Sequence, residues 1–388
     1  MSATGRTGPD APDASEIAAL CRDADFVRFV AHADGDALAA TGLIARALSD
    51  AGVPFQASVA RSGNLARPDN TDDVTTLLVG GTHPSYDGAI AASTEPASVL
   101  AEAAARELAA DPDPVLALAG VVAAEGHPSE YAEVLDRAQS RDLVTQRPGV
   151  GIPTADLANG LAHTTLAHAS FSGNEGAVTA SLADLELPVD LDTRAQRRLA
   201  SLLALETVSA DGATPRAAEA VERALHPHAT DGPFTTVEGF ADVLDVVARE
   251  APGTALALAL GHDVKTPALD AWRAHAKRAH TALRGATTGR YDGLFVARIE
   301  SAEGEPAPVR TTARLLRDFR SPEPVALVVS EGKAAACATE EQGQIGEQMA
   351  TAATAVSGTG GGRDRQGYAE FEADVSASEF VTAFREAQ

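Results

Sequence analysis

Apolar positions along this chain follow two rhythms. Short β-branched or aromatic runs at Phe26–Val30, Phe55–Arg61 and Val74–Val79 predict strands. Ala/Leu-rich stretches at 37–48, 96–110 and 115–124 carry their apolar residues at helical spacing. Strands alternating with helices predict an α/β fold with a parallel sheet. Farther along, helices are expected at Arg194–Leu205 and Phe234–Arg249, and a long one over 267–287 with Leu269, Trp272, Ala276, Ala279 and Leu283 as its apolar seam. Strands at Gly293–Ile299 and Val325–Ser330 flank a helix expected at Thr311–Phe319. Residues 1–14 are small, polar and Pro/Gly-punctuated, which predicts a disordered tail, with Ser15 capping the first helix. The segments 61–73 and 147–196 read as irregular. The expected organisation is a tail (1–14), a parallel-sheet domain (15–264), a connecting helix (265–289) and a smaller α/β C-terminal domain (290–388).

Composition changes the setting more than the fold. A chain of 388 residues with 45% hydrophobic content has enough material for real cores. Its net charge is -24, and lysine occurs only at Lys265, Lys277 and Lys333. Such acidity resembles that of proteins from salt-loving archaea, where carboxylates keep a surface hydrated in strong salt; the alternative is an acidic protein with cationic partners. Cys21 and Cys337 show no metal spacing and read as free thiols of a reducing compartment. No run approaches the roughly 18 apolar residues of a membrane span, and no basic-then-apolar leader opens the chain. A cytoplasmic protein without membrane contact is expected.

Candidate chemistry concentrates after the first strand, where His32, Asp34 and Asp36 alternate with small residues and Gly35 adds backbone freedom. In a parallel sheet this loop lies beyond the carboxyl ends of the strands, where ligands usually bind. Two carboxylates and an imidazole suit Mn²⁺ or Mg²⁺. The plainer alternative makes Asp36 the cap of the following helix, Asp34 a surface acid and His32 a loop histidine. An EF-hand is excluded, because counting from Asp34 puts Leu38 and Ala45 at ligand positions. On the long helix, Arg273, Lys277, His280 and Arg284 form a stripe that either tracks phosphates or pairs with nearby acids. Arg310, Arg314 and Arg317 are expected on one side of the next helix.

His-x-Asp-x-Asp after a strand, followed by a small-residue helix and a second strand, resembles motif I of the DHH phosphoesterase superfamily, which includes RecJ exonucleases, nano-RNases and archaeal GINS-associated nucleases. Gly358–Phe371 resembles the superfamily's Gly-Gly-His-x-x-x-Gly motif, whose amides and side chains hold substrate phosphates. Here Gly360, Gly361 and Gly362 precede Arg363 in the histidine's place, and Gly367 matches the last glycine. The resemblance implies an α/β DHH domain joined by a long helix to a smaller C-terminal domain. It also implies a two-metal site, yet Gly80 and Gly81 stand where a metal-bridging aspartate is expected, no Asp-His-His triplet occurs, and Ala124 falls on another metal-binding aspartate. His83, Asp87 and Glu125 are the nearest substitutes, against the plainer role of loop solvation. One weakly held Mn²⁺ or Mg²⁺ on His32, Asp34 and Asp36 is the most such a set implies. The pattern is similar to the inactive RecJ relative that serves the replicative helicase. It implies a protein that binds single-stranded DNA (or RNA) through Gly360–Gly362, Arg363 and Gly367, with GINS and MCM proteins as partners; the local positive charge adds Arg273, Lys277, Arg284 and Arg314 as candidate phosphate contacts. The alternatives are an active metal-dependent exonuclease or oligonucleotide phosphodiesterase, and a small-nucleotide binder.

Overall fold

The computed structural model describes residues 12–60, 73–91, 95–188, 191–301, 305–340 and 342–388. Residues 1–11 of the expected tail and 61–72 of the expected loop lie outside that set. Strands β1 (Val27–His32), β2 (Phe55–Ala60), β3 (Thr75–Val79) and β4 (Gly88–Ile90) form a parallel sheet in the order β2-β1-β3-β4. β5 (Val144–Gln146) and β6 (His228–Thr230) pair antiparallel. A six-stranded sheet follows the order β11-β12-β10-β9-β8-β7. It is built from β7 (Thr287–Tyr291), β8 (Leu294–Arg298), β9 (Val325–Ser330), β10 (Lys333–Ala338), β11 (Thr359–Gly362) and β12 (Gln366–Glu370). The α/β architecture is as the periodicity predicts.

By compactness the chain divides into two units. One gathers the described chain up to Leu143 together with Val247–Ala268; the other joins Val144–Val246 to Leu269–Gln388. Residues 144–246 thus group with the C-terminal part, whereas the sequence reading placed them in the first domain. The reason is a shared core: Leu161, Phe171, Leu199 and Val221 pack with Leu283, Leu315, Phe319 and Val328. The opposite face of the six-stranded sheet, including Leu327 and Val329, packs on Met349, Phe380 and Phe384.

In the first unit, Val27, Phe29 and Ala31 of β1 are buried at alternate positions, as a pleated strand requires. The chain then enters the helix Gly35–Ala51, which ends at Gly52 in the left-handed conformation (φ 75°). Two later helices, Ala97–Glu107 and Pro114–Ala123, come close because Gly120 lacks a side chain; a Cβ there would lie 2.3 Å from Ser98 Oγ. The first helix, Ala14–Arg22, is capped by Asp13 and not Ser15, through reciprocal bonds with Glu16. The region read as irregular holds two short capped helices, Leu157–His163 and Glu175–Ala183. The long helix runs Lys265–Gly285, with its five expected seam residues buried.

Candidate functional site

His32 ends β1, and the Asp34 N–H bonds back to the His32 carbonyl at 2.9 Å, turning the chain. The Asp34 carboxylate accepts the Ala37 N–H at 2.9 Å, so Asp34 and not Asp36 is the N-cap. Gly35 opens the helix, which shifts the cap two residues from its expected place. Asp36 is 1% exposed, and its two oxygens accept the N–H groups of Ala97 (2.8 Å) and Ser98 (2.9 Å). Those amides open the helix Ala97–Glu107, whose own cap position, Pro96, offers no side-chain acceptor. Asp36 therefore caps a helix about sixty residues away in sequence, its charge resting at the positive end of that helix.

Gly80 has φ 94°, a conformation that disfavours any larger residue, and its N–H bonds to Ile90 O. At Gly81 a Cβ would lie 3.1 Å from Cε1 and Nε2 of His32. His83 is exposed; its Nδ1 accepts the Ser85 N–H, and its ring meets Tyr86 edge-on at 5.8 Å. Asp87 accepts the Thr76 N–H at 2.8 Å. Thr76 lies near the start of β3, whereas Val79 at its other end pairs with Ala31 beside His32. Three residue steps along the strand, about 10 Å, separate the two, so Asp87 serves the wrong end of the sheet to join the first loop. Glu125, at φ 68°, closes the helix Pro114–Ala123 through its N–H to Val122 O. Among the described residues, no three His, Cys, Asp or Glu side chains group as metal ligands. Sequence reading did not single out Tyr131, whose phenol pKa is raised by burial and then by the charges of Glu130, Glu95 and Asp36. No motif marks it; only the fold brings it near Asp36.

The glycine motif is a hairpin and not a loop. Gly361 pairs with Tyr368 and Gly362 with Gly367 across β11 and β12. Helix Ile345–Ala355 lies directly on it: a Cβ at Gly360 would stand 2.7 Å from Met349 O, and one at Gly367 2.8 Å from Met349 Cβ. The carbonyls of Arg363 and Asp364 accept the N–H groups of Gly346 and Ile345, so the hairpin turn itself caps this helix. Gly361 differs, with nothing within 4 Å of a built Cβ. Cross-strand partners share a face, so Gly361 opens on the side of Tyr368, whose ring carries the Arg310 guanidinium 4.2 Å from its centroid. Tyr368 donates to Glu370, and burial pushes its phenol pKa up.

The expected basic stripe is mostly engaged. Arg273 binds Asn159 and Asp270, Arg284 donates to Ser172 O, and Arg314 donates to Thr165 Oγ1; Lys277 is exposed. His280 does not belong to that surface, because the packed seam encloses it completely. Its Nε2 donates to Thr164 O at 3.0 Å, which leaves Nδ1 to accept from His168 Nδ1, also at 3.0 Å. Burial lowers both imidazole pKa values, that of His168 to about 3. Arg317 likewise leaves the side of Arg310 and Arg314: it is buried against Asp318, which also binds Arg223.

A parallel sheet with an acidic loop at its carboxyl end, and a separate mixed sheet ending in a glycine hairpin, give the chain a fold like that of RecJ. The chain superposes on exonuclease RecJ bound to manganese with TM-score 0.50 at 16% identity, over 99% of this chain and 95% of that one. With CDC45 from Entamoeba histolytica the TM-score is 0.55 at 10% identity, over 96% and 97%. Residues 286–386 match the family described as "Uncharacterized protein rrnAC1427, C-terminal domain". The chain is 50% identical over 389 residues to protein rrnAC1427 of Haloarcula marismortui, covering 100% of both, and it belongs to that protein's family. The acidic composition fits the salt-loving source of this relative. Among the described residues no helix is long and apolar enough to cross a membrane.

Proposed function

We propose that this chain is a RecJ-like protein that binds single-stranded nucleic acid as a scaffold in replication or repair and does not run two-metal hydrolysis. The observation that carries this reading is Asp36, whose carboxylate gives one oxygen to each of two amides of a distant helix. A two-metal centre needs carboxylates that hold both ions about 4 Å apart. Here Asp34 gives Oδ1 to the Ala37 N–H, the bridging-aspartate position is glycine, and Ala124 has no donor. The donor set does not fit that pair of ions.

Strand binding is assigned to the C-terminal hairpin. The open backbone at Gly361, the Arg310–Tyr368 stack on the same face and Arg363 in the turn offer a surface for a base and a phosphate. The likeness to exonuclease RecJ and CDC45 supports nucleic-acid work; GINS and MCM proteins are the partners that the sequence resemblance proposes. The test is incubation with end-labelled single strands and Mn²⁺ or Mg²⁺ in high salt. Strand binding that survives chelation, without cleavage, is expected; cleavage abolished by Asp34→Ala overturns the reading and restores a metal-dependent exonuclease.

A further inference from the structure

The helix Thr193–Val208 buries Ala195, Leu199, Leu203 and Thr207. At 100° per residue, Arg194, Arg197, Arg198, Ser201, Leu205 and Val208 fall together on its opposite side, within about a third of the circumference. All six are exposed. This face has no acid on it, in a chain with 55 acidic residues against 31 lysines and arginines. None of the three arginines enters an ion pair among the described residues. The nearby Glu206 lies on the flank, bonded to Ser170 Oγ. Leu205 (65% exposed) and Val208 (45%) are the large apolar side chains that stand most open to solvent among the described residues. The face is thus cationic at its start, apolar at its end and about 21 Å long.

Two properties decide what fits it. At molar salt the Debye length is about 3 Å, so only direct contact between arginine and an anion counts, and the counterion release that drives nucleic-acid binding contributes little. Exposed leucine and valine add nothing to phosphate contacts and offer no ring for base stacking, but they bury well against another protein's aliphatic side chains. We infer that this face docks an acidic amphipathic segment of a partner protein, with carboxylates on Arg194, Arg197 and Arg198 and apolar side chains on Leu205 and Val208. The inference is independent of the strand-binding proposal, since it uses none of the hairpin residues.

The test uses the full chain and two fluorescent helical peptides that share a leucine stripe, one flanked by glutamates and the other by lysines. Anisotropy is read in 0.5 and 3 M KCl. The glutamate peptide is expected to bind and the lysine peptide to fail, with binding weakened at least about tenfold both by Arg194→Glu/Arg197→Glu/Arg198→Glu and by Leu205→Ser/Val208→Ser. Circular dichroism confirms that these surface variants fold. Three outcomes overturn the inference: no binding of the glutamate peptide, equal binding by the variants, or loss of single-strand binding in the triple arginine variant, which would assign the face to nucleic acid. A fourth outcome, self-association of the wild-type chain that the Leu205→Ser/Val208→Ser pair abolishes, overturns it in favour of a second copy.

Discussion

At the end of β1 the polar side chains turn inward, onto Ala37 and onto the amides of a helix at residue 97; at the β11–β12 hairpin Gly361 keeps open space beside it, and Arg310 lies over the half-buried Tyr368. Both places resemble the superfamily's motifs, the second with Arg363 in the histidine's place. The difference teaches that residues of a motif can be taken up by the fold itself: Asp34 and Asp36 as helix caps, Gly360 and Gly367 as the surface on which Met349 rests. What remains for binding is the part of each motif that packing does not consume.

The largest effect expected from this comparison is at Asp36. Replacing it with alanine leaves two buried amides without acceptors and should cost about 3 kcal/mol, read as a lower midpoint in guanidinium unfolding. An aspartate whose charge was borne only by a metal would instead leave the metal-free chain as stable or more so. Gly367→Val drives a side chain into Met349 and Ile345 O and should cost about 2 kcal/mol. Gly361→Ala should stay within about 0.5 kcal/mol, because nothing lies nearby; equal losses at the two glycines would erase the distinction between packed and open positions.

The buried histidines give a pH signature. His168 and His280 are held neutral in the folded chain and take up protons near pH 6.5 when unfolded. The unfolded state thus binds more protons, so stability is full above pH 6.5 and falls as pH is lowered toward 3. Its slope approaches about 1.4 kcal/mol per pH unit for each histidine. Asp242, whose carboxyl pKa is raised by burial, acts in the opposite sense at the acidic end. Denaturation midpoints at pH 5 and 8 measure this, and His168→Gln should flatten the dependence. Asp34→Ala, which removes one part-buried cap bond, should cost about 1 kcal/mol.

Much of the fold was legible because periodicity suffices for it: β1, β3 and β9 are apolar runs of the right length, and the long helix carries an apolar seam at helical spacing. β10 (KAAACA) was not, since alanines lack the β-branching that marks a strand and only burial on both faces defines it. β11 was missed because glycine disfavours strands; close contact with the helix Ile345–Ala355 overrides that preference. At the site, the loop and its residues were visible, but the partners of Asp36 lie 61 and 62 positions away and have no local signal. Tyr368 beneath Arg310 was missed for the same reason.

The central claim, that the acids after β1 hold helices and not a pair of ions, is tested most directly by titrating the intact chain with Mn²⁺ in potassium chloride and following the electron paramagnetic resonance signal. The account predicts the spectrum of free ion throughout, unchanged by Asp34→Ala. Two bound, mutually coupled manganese ions per chain, lost in that variant, would contradict it.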